Sequence, residues 1–80
     1  MDRAKTLEEL QEIFRTNFDD DDIVLTEATY SADIEDWDSL EQINLLTAIE
    51  KRYGLKFTLA DVRDLRHIGD MLDLLARLLG

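Results

Sequence analysis

The chain has 80 residues, with nine Lys and Arg against nineteen Asp and Glu, and neither Cys nor Pro. This length predicts one small domain, and 45% hydrophobic residues are enough for a core. The net charge of -10 would repel a phosphate backbone, which disfavours nucleic acid as a partner. The lack of Cys excludes a disulfide framework, thiolate metal ligands and a thiol nucleophile of the chain itself. No apolar run approaches the length of a membrane span, so we expect a cytoplasmic protein without membrane contact. No feature of the sequence suggests an obligate oligomer, and we expect a monomer.

Because the carboxylates outnumber the cations about two to one, like charges should repel across the folded surface. We predict that raising the salt concentration from low to moderate increases the melting temperature, since counterions screen this repulsion. A thermal unfolding series in NaCl measures the effect. A melting temperature that stays constant across the series would contradict the prediction.

The first helix is predicted to begin at Thr6, because Thr6 and Glu9 fit a capping box. One face then carries apolar residues at helical spacing: Leu7, Leu10, Phe14 and Phe18. The four carboxylates of Asp19–Asp22 oppose the negative end of a helix and are expected to end it. This acidic run lacks the Gly and Glu positions of a calcium loop, so we interpret it as solvated.

Residues 19–38 hold no regular period and are predicted to form a long loop, with scattered apolar residues anchoring it: Ile23, Leu25, Tyr30, Ile34 and Trp37. The second helix is predicted over Ser39–Tyr53 and ends at Gly54, the residue type favoured in the left-handed position after a helix. Its apolar stripe comprises Leu40, Ile43, Leu46, Ile49 and Tyr53, widened by Leu45 and Ala48.

A short third helix is predicted over Thr58–Leu65, with Thr58 and Asp61 as a capping pair. A fourth is predicted from His67 to Leu79, with one apolar face: Ile68, Met71, Leu72, Leu75 and Leu79. The pattern therefore predicts an all-α fold, a small four-helix bundle with a long loop between the first two helices.

No combination of side chains indicates catalysis, because His67 is the single His and has no recognisable nucleophile beside it. No cluster of His residues suggests a metal site, and no Gly-rich loop precedes a helix. Ser39 opens the second helix, but either Asp38 with Glu41 or Ser39 with Gln42 fits a capping box there. On local chemistry alone, a role as a helix cap is therefore enough to explain Ser39.

The triplet Asp38-Ser39-Leu40, the apolar spacing after it and the ending Tyr53-Gly54 together resemble the acyl carrier protein family. The likeness extends from about residue 5 to 79. It implies a single acyl carrier domain over residues 1–80 that is not an enzyme. It also implies that a phosphopantetheinyl transferase attaches 4′-phosphopantetheine to Ser39, next to Asp38 and Leu40, so that the cofactor supplies the thiol that the chain lacks.

The resemblance also implies an acyl pocket between the helices, for which we expect Leu46, Ile49, Leu72 and Leu75 as liners. It implies partners with basic docking patches, the acyl-loading and acyl-processing enzymes, which would contact Glu35, Asp36, Asp38, Leu40 and Glu41. Gln42, Asn44 and Lys51 interrupt the acidity of the second helix, and Trp37 stands where fatty-acid members commonly have Gly. These departures favour a specialised pathway, such as a polyketide-like or aminoacyl-type one, over fatty-acid synthesis. An aminoacyl or peptidyl carrier, or an unmodified acidic interaction module, remains as an alternative.

Overall fold

A computed structural model describes all residues from 1 to 80, and its fold is all-α. The four helices are α1 (Arg3–Phe18), α2 (Ser39–Tyr53), α3 (Leu59–Arg63) and α4 (Ile68–Leu79). A 3₁₀ turn at Ser31–Asp33 interrupts the long loop between α1 and α2. The predicted helical fold with a long first loop and a short third helix is confirmed. None of the helices combines the length and apolar character that crossing a membrane would require.

Helix α1 begins one turn earlier than predicted, so the proposed cap at Thr6 is wrong. Asp2 caps the helix instead, its Oδ1 accepting the Lys5 N–H at 3.2 Å, and Thr6 is buried inside the helix. The added turn is held from elsewhere in the chain, because the Arg3 guanidinium pairs with Glu27 at 2.7 Å and Asp73 at 2.9 Å. These long-range ion pairs leave no local pattern in the sequence.

Helix α1 ends at Phe18 as predicted, with Asp19 in the left-handed region at φ 51°. Side chains of α1 then hold the start of the loop. The Arg15 guanidinium donates to the Ile23 carbonyl at 2.8 Å, and the Gln11 Oε1 accepts the Leu25 N–H at 3.0 Å. Ile23 and Leu25 are thereby placed in the core, whereas Val24 between them is exposed.

The middle of the loop pairs with the beginning of α4. The N–H groups of Ile68 and Gly69 donate to the carbonyls of Thr29 and Glu27, both at 2.8 Å. A Cβ on Gly69 would lie 3.1 Å from the Glu27 carbonyl oxygen, so this close approach favours glycine. Tyr30, predicted as a core anchor, is 45% exposed, because this pairing holds it at the edge of the bundle against His67.

Helix α2 has the predicted bounds, and Gly54 follows it at φ 64°. The predicted stripe is only partly correct, because Leu45 and Ile49 are buried while Leu40 and Ile43 are 66% and 61% exposed. Successive steps of three residues rotate around a helix by about -60° each. Residues spaced by repeated steps of three therefore do not stay on one face, and the predicted stripe runs from the solvent face at Leu40 to the buried face at Ile49.

Helix α3 has its predicted Thr58–Asp61 capping box but ends at Arg63, two residues early. Helix α4 buries Leu74, which was not predicted, while Leu79 is 42% exposed. The core contains eleven buried residues: Leu10, Phe14, Ile23, Leu25, Leu45, Ile49, Ile68, Met71, Leu72, Leu74 and Leu75. Helix α1 packs against both α2 and α4 in this core.

Candidate functional site

Ser39 is the first residue of α2, and it does not cap the helix. Asp38 is the N-cap, and its Oδ1 accepts the Glu41 N–H at 2.9 Å. The Ser39 side chain is exposed, and its hydroxyl makes no hydrogen bond within the chain. Of the two capping boxes that the sequence allowed, neither forms in full. Since Asp38 does the capping, the Ser39 hydroxyl is left available for another partner.

The backbone around Ser39 suits a phosphate. The Gln42 N–H is already bonded to the Asp38 carbonyl at 2.9 Å, whereas the N–H groups of Ser39 and Leu40 have no acceptor. Free N–H groups and the partial positive charge of a helix N-terminus stabilise an anion placed there. A phosphodiester on the Ser39 oxygen would lie next to these groups, so the residues present fit a phosphopantetheine.

A cleft of about 640 Å³ opens beside Ser39 between the long loop, α2 and the start of α4. Its wall is mostly apolar: Phe14, Trp37, Leu45, Leu46, Ile49, Val62, Leu65, Ile68 and Met71. Leu46 and Ile49, two of the four expected acyl liners, are in this wall. Leu72 and Leu75 are not, because both are fully buried in the core. The structure thus brings only half of the expected set to the cleft.

Trp37 positions the chain immediately before the Asp38-Ser39 pair. Its indole N–H donates to the Gln42 Oε1 at 2.6 Å, and its ring packs edge-on against Phe14 with centroids 5.0 Å apart. The bond to Gln42 ties the loop to α2, and the contact with Phe14 ties it to α1. Trp37 is therefore both a wall of the cleft and the anchor of the segment that carries Ser39.

The expected docking residues differ in whether their side chains are bonded within the chain. Glu35 and Asp36 are exposed and form no ion pair, whereas the Glu41 carboxylate accepts from the side chains of Asn17 at 3.0 Å and Asn44 at 2.8 Å. Leu40 projects into solvent, which agrees with the expected docking role and not with its place in the predicted apolar stripe. Ile43 is nearly as exposed, although its spacing placed it in the predicted core stripe and so gave no sign of a surface position.

Two polar residues of the cleft, Arg66 and His67, were also missed as site residues. They lie in the turn before α4, where the Asp70 carboxylate accepts the backbone N–H groups of His67 at 2.9 Å and Arg66 at 3.0 Å. The hydrogen bond from the His67 N–H, and to a smaller extent that from the Arg66 N–H, holds the pKa of Asp70 below its usual value. No sequence pattern indicates that this turn faces Ser39 across the cleft.

An exposed serine at the start of a helix, next to an apolar cleft, is the arrangement of a small carrier domain that presents one attachment point. The family model described as the phosphopantetheine attachment site matches residues 8–75, so the chain belongs to this family. The solution structure of a holo acyl carrier protein from Geobacter metallireducens is 47% identical, with a TM-score of 0.83. The match covers 92% of this chain and 90% of that one. No curated protein sequence matches.

Family and fold together make this chain an acyl carrier protein, a carrier and not an enzyme. Its cofactor is a covalently attached 4′-phosphopantetheine. The resemblance found in the sequence is thereby confirmed.

Proposed function

We propose that Ser39 is the attachment residue and that the chain carries acyl groups for a biosynthetic pathway. The free, exposed hydroxyl beside the apolar cleft supports this proposal most directly. The Ser39 oxygen forms a bond to the β-phosphorus of coenzyme A as the pyrophosphate P–O bond breaks. Adenosine 3′,5′-bisphosphate leaves, and the hydroxyl proton passes to a base of the transferase. Ser39 would hold the arm, and the arm would supply a thiol able to form a thioester with an acyl group.

The cleft supports an acyl cargo over an aminoacyl one. Its walls from α2, including Leu46 and Ile49, are apolar and half-buried or buried. Transfer of an aliphatic chain from water into such a site is favourable by about 0.8 kcal/mol for each CH₂ group. We assign the liner role to Leu46 and Ile49 and leave Leu72 and Leu75 as core residues. A charged α-amino group would lose hydration against the apolar walls that Leu46 and Ile49 form.

Partner enzymes are proposed to dock on the surface around Ser39. Glu35 and Asp36 offer unpaired carboxylates to a basic patch, which speeds association, and Leu40 and Ile43 offer apolar contact area. Asp38 lies in the same surface, but one of its oxygens is used in capping α2. The phosphopantetheinyl transferase and the acyl-loading and acyl-processing enzymes are the proposed partners.

We place the carrier in a specialised, polyketide-like pathway in preference to fatty-acid synthesis. The solvent face of α2 is mixed, since Asn44 and Lys51 are exposed and Glu41 is bonded within the chain. A partner of this face would therefore meet less negative charge along the helix than at its start. A single carrier domain over residues 1–80 and a cytoplasmic location complete the proposal.

The attachment residue can be tested by intact mass after incubation with coenzyme A, Mg²⁺ and a broad-specificity transferase. The chain has two serines, Ser31 and Ser39, and both line the cleft, so Ser31→Ala is the matched control. We expect the natural chain and Ser31→Ala to gain one phosphopantetheine, and Ser39→Ala to gain none. The circular dichroism of Ser39→Ala should be unchanged, because Asp38 caps the helix.

Addition to Ser39→Ala, or loss of addition in Ser31→Ala alone, would overturn the assignment. Failure of the natural chain with several transferases would instead favour an unmodified module that binds basic partners through its acidic surface.

A further inference from the structure

Arg66 differs from every other arginine of the chain in having no carboxylate partner. The other five are paired within 4 Å of an Asp or Glu: Arg3, Arg15, Arg52, Arg63 and Arg77. The Arg66 side chain also makes no hydrogen bond, although nineteen carboxylates are available in the chain. Because the Arg66 side chain is exposed and unpaired, its guanidinium is free to bind an anion from outside the chain.

The position of Arg66 indicates where that anion comes from. Arg66 lines the same cleft as Ser39, and it is the one Lys or Arg among the lining residues. Its backbone N–H is bonded to the Asp70 carboxylate at 3.0 Å, which fixes the turn from which the side chain extends. The lining also includes the Asp38 carboxylate and His67, but most of it is apolar, so the cleft combines a surface for a carbon chain with one guanidinium.

We infer that Arg66 binds an anionic group of the arm attached at Ser39 and thereby selects the cargo. A guanidinium holds a carboxylate or a phosphate through two parallel N–H bonds. The free N–H groups of Ser39 and Leu40 already suit the phosphodiester of the arm, which leaves Arg66 for a carboxylate at the far end of the acyl group. The substrate class would then be acyl groups that end in a carboxylate. This inference rests on the proposed attachment at Ser39.

The test compares two cargoes of equal chain length, hexanoyl and adipoyl, of which only adipoyl ends in a carboxylate. Each is installed from its coenzyme A thioester by the transferase, and intact mass verifies the loading. Apo, holo, hexanoyl and adipoyl forms are prepared for the natural chain, for Arg66→Gln and for Arg63→Gln. Arg63→Gln is the matched control, because it removes the same charge only three residues away. Arg63 pairs with Asp64 and does not line the cleft.

We expect the adipoyl form to melt a few degrees above the hexanoyl form in the natural chain and in Arg63→Gln. This gain should vanish in Arg66→Gln. The Arg66 Nε–Hε resonance should shift when hexanoyl is replaced by adipoyl. If Arg66 instead binds the phosphodiester, its resonance should shift between the apo and holo forms, and Arg66→Gln should already lose stability in the holo form. The hexanoyl and adipoyl forms should then melt alike, which would overturn the selection of cargo by Arg66.

Identical behaviour of Arg66→Gln and Arg63→Gln in all four forms, with no shift of the Arg66 resonance, would overturn the inference. With loading at Ser39 verified by mass, that result leaves the carrier function intact. If no arm attaches to the natural chain, the proposed function and this inference are both overturned.

Discussion

Truncation of Leu72 to Ala is expected to lower the free energy of unfolding by about 3–5 kcal/mol. Leu72 has no exposed surface and lies in the core layer of α4, so its truncation leaves a cavity that the packed neighbours cannot fill. A domain of this size is stable by only about 5–15 kcal/mol, so the variant should lose much of its stability. Urea unfolding followed by circular dichroism measures the change.

Leu79→Ala is the matched control, because both residues belong to the apolar face predicted for α4. Leu79 is 42% exposed and lies in the last turn, so its truncation should cost less than about 1 kcal/mol. Equal losses in the two variants would show that Leu72 is not in a packed core. They would also remove the reason for excluding Leu72 from the acyl pocket.

Replacement of Trp37 by Ala is expected to lower the free energy of unfolding by about 2–4 kcal/mol. This loss is smaller than that expected for a fully buried Trp, because Trp37 is only half-buried. The variant loses the edge-on contact with Phe14 and the hydrogen bond to Gln42. It also frees the segment that leads into Ser39. We therefore expect slower phosphopantetheinylation in addition to lower stability, measured by urea unfolding and by timed intact mass.

Trp37→Phe separates packing from the hydrogen bond. Phe keeps an aromatic ring next to Phe14 but cannot donate to the Gln42 Oε1, so we expect a loss of about 1 kcal/mol. Its rate of modification should lie between those of the natural chain and Trp37→Ala. A rate in Trp37→Ala equal to that of the natural chain would show that Trp37 does not position Ser39.

The sequence by itself determined those features that depend on neighbours within a few residues. Helix α2 begins at Ser39 and ends before Gly54 as predicted, and Thr58 caps α3 with Asp61. Capping residues and a left-handed glycine act through hydrogen bonds and backbone preferences that span one turn of helix. The Asp38-Ser39-Leu40 triplet identified the family for the same reason, since its residues are adjacent in the chain.

Only the tertiary structure decided which helix faces are covered and which side chains meet across the bundle. Spacing placed Ile43 in the core, yet no element packs over it, and it is 61% exposed. Asp2 caps α1 locally, but the ion pairs of Arg3 with Glu27 and Asp73, which also hold its first turn, come from distant parts of the chain. Arg66 meets the cleft of Ser39 because the loop after α1 pairs with the start of α4. Such contacts depend on how the chain folds back on itself, which local periodicity does not encode.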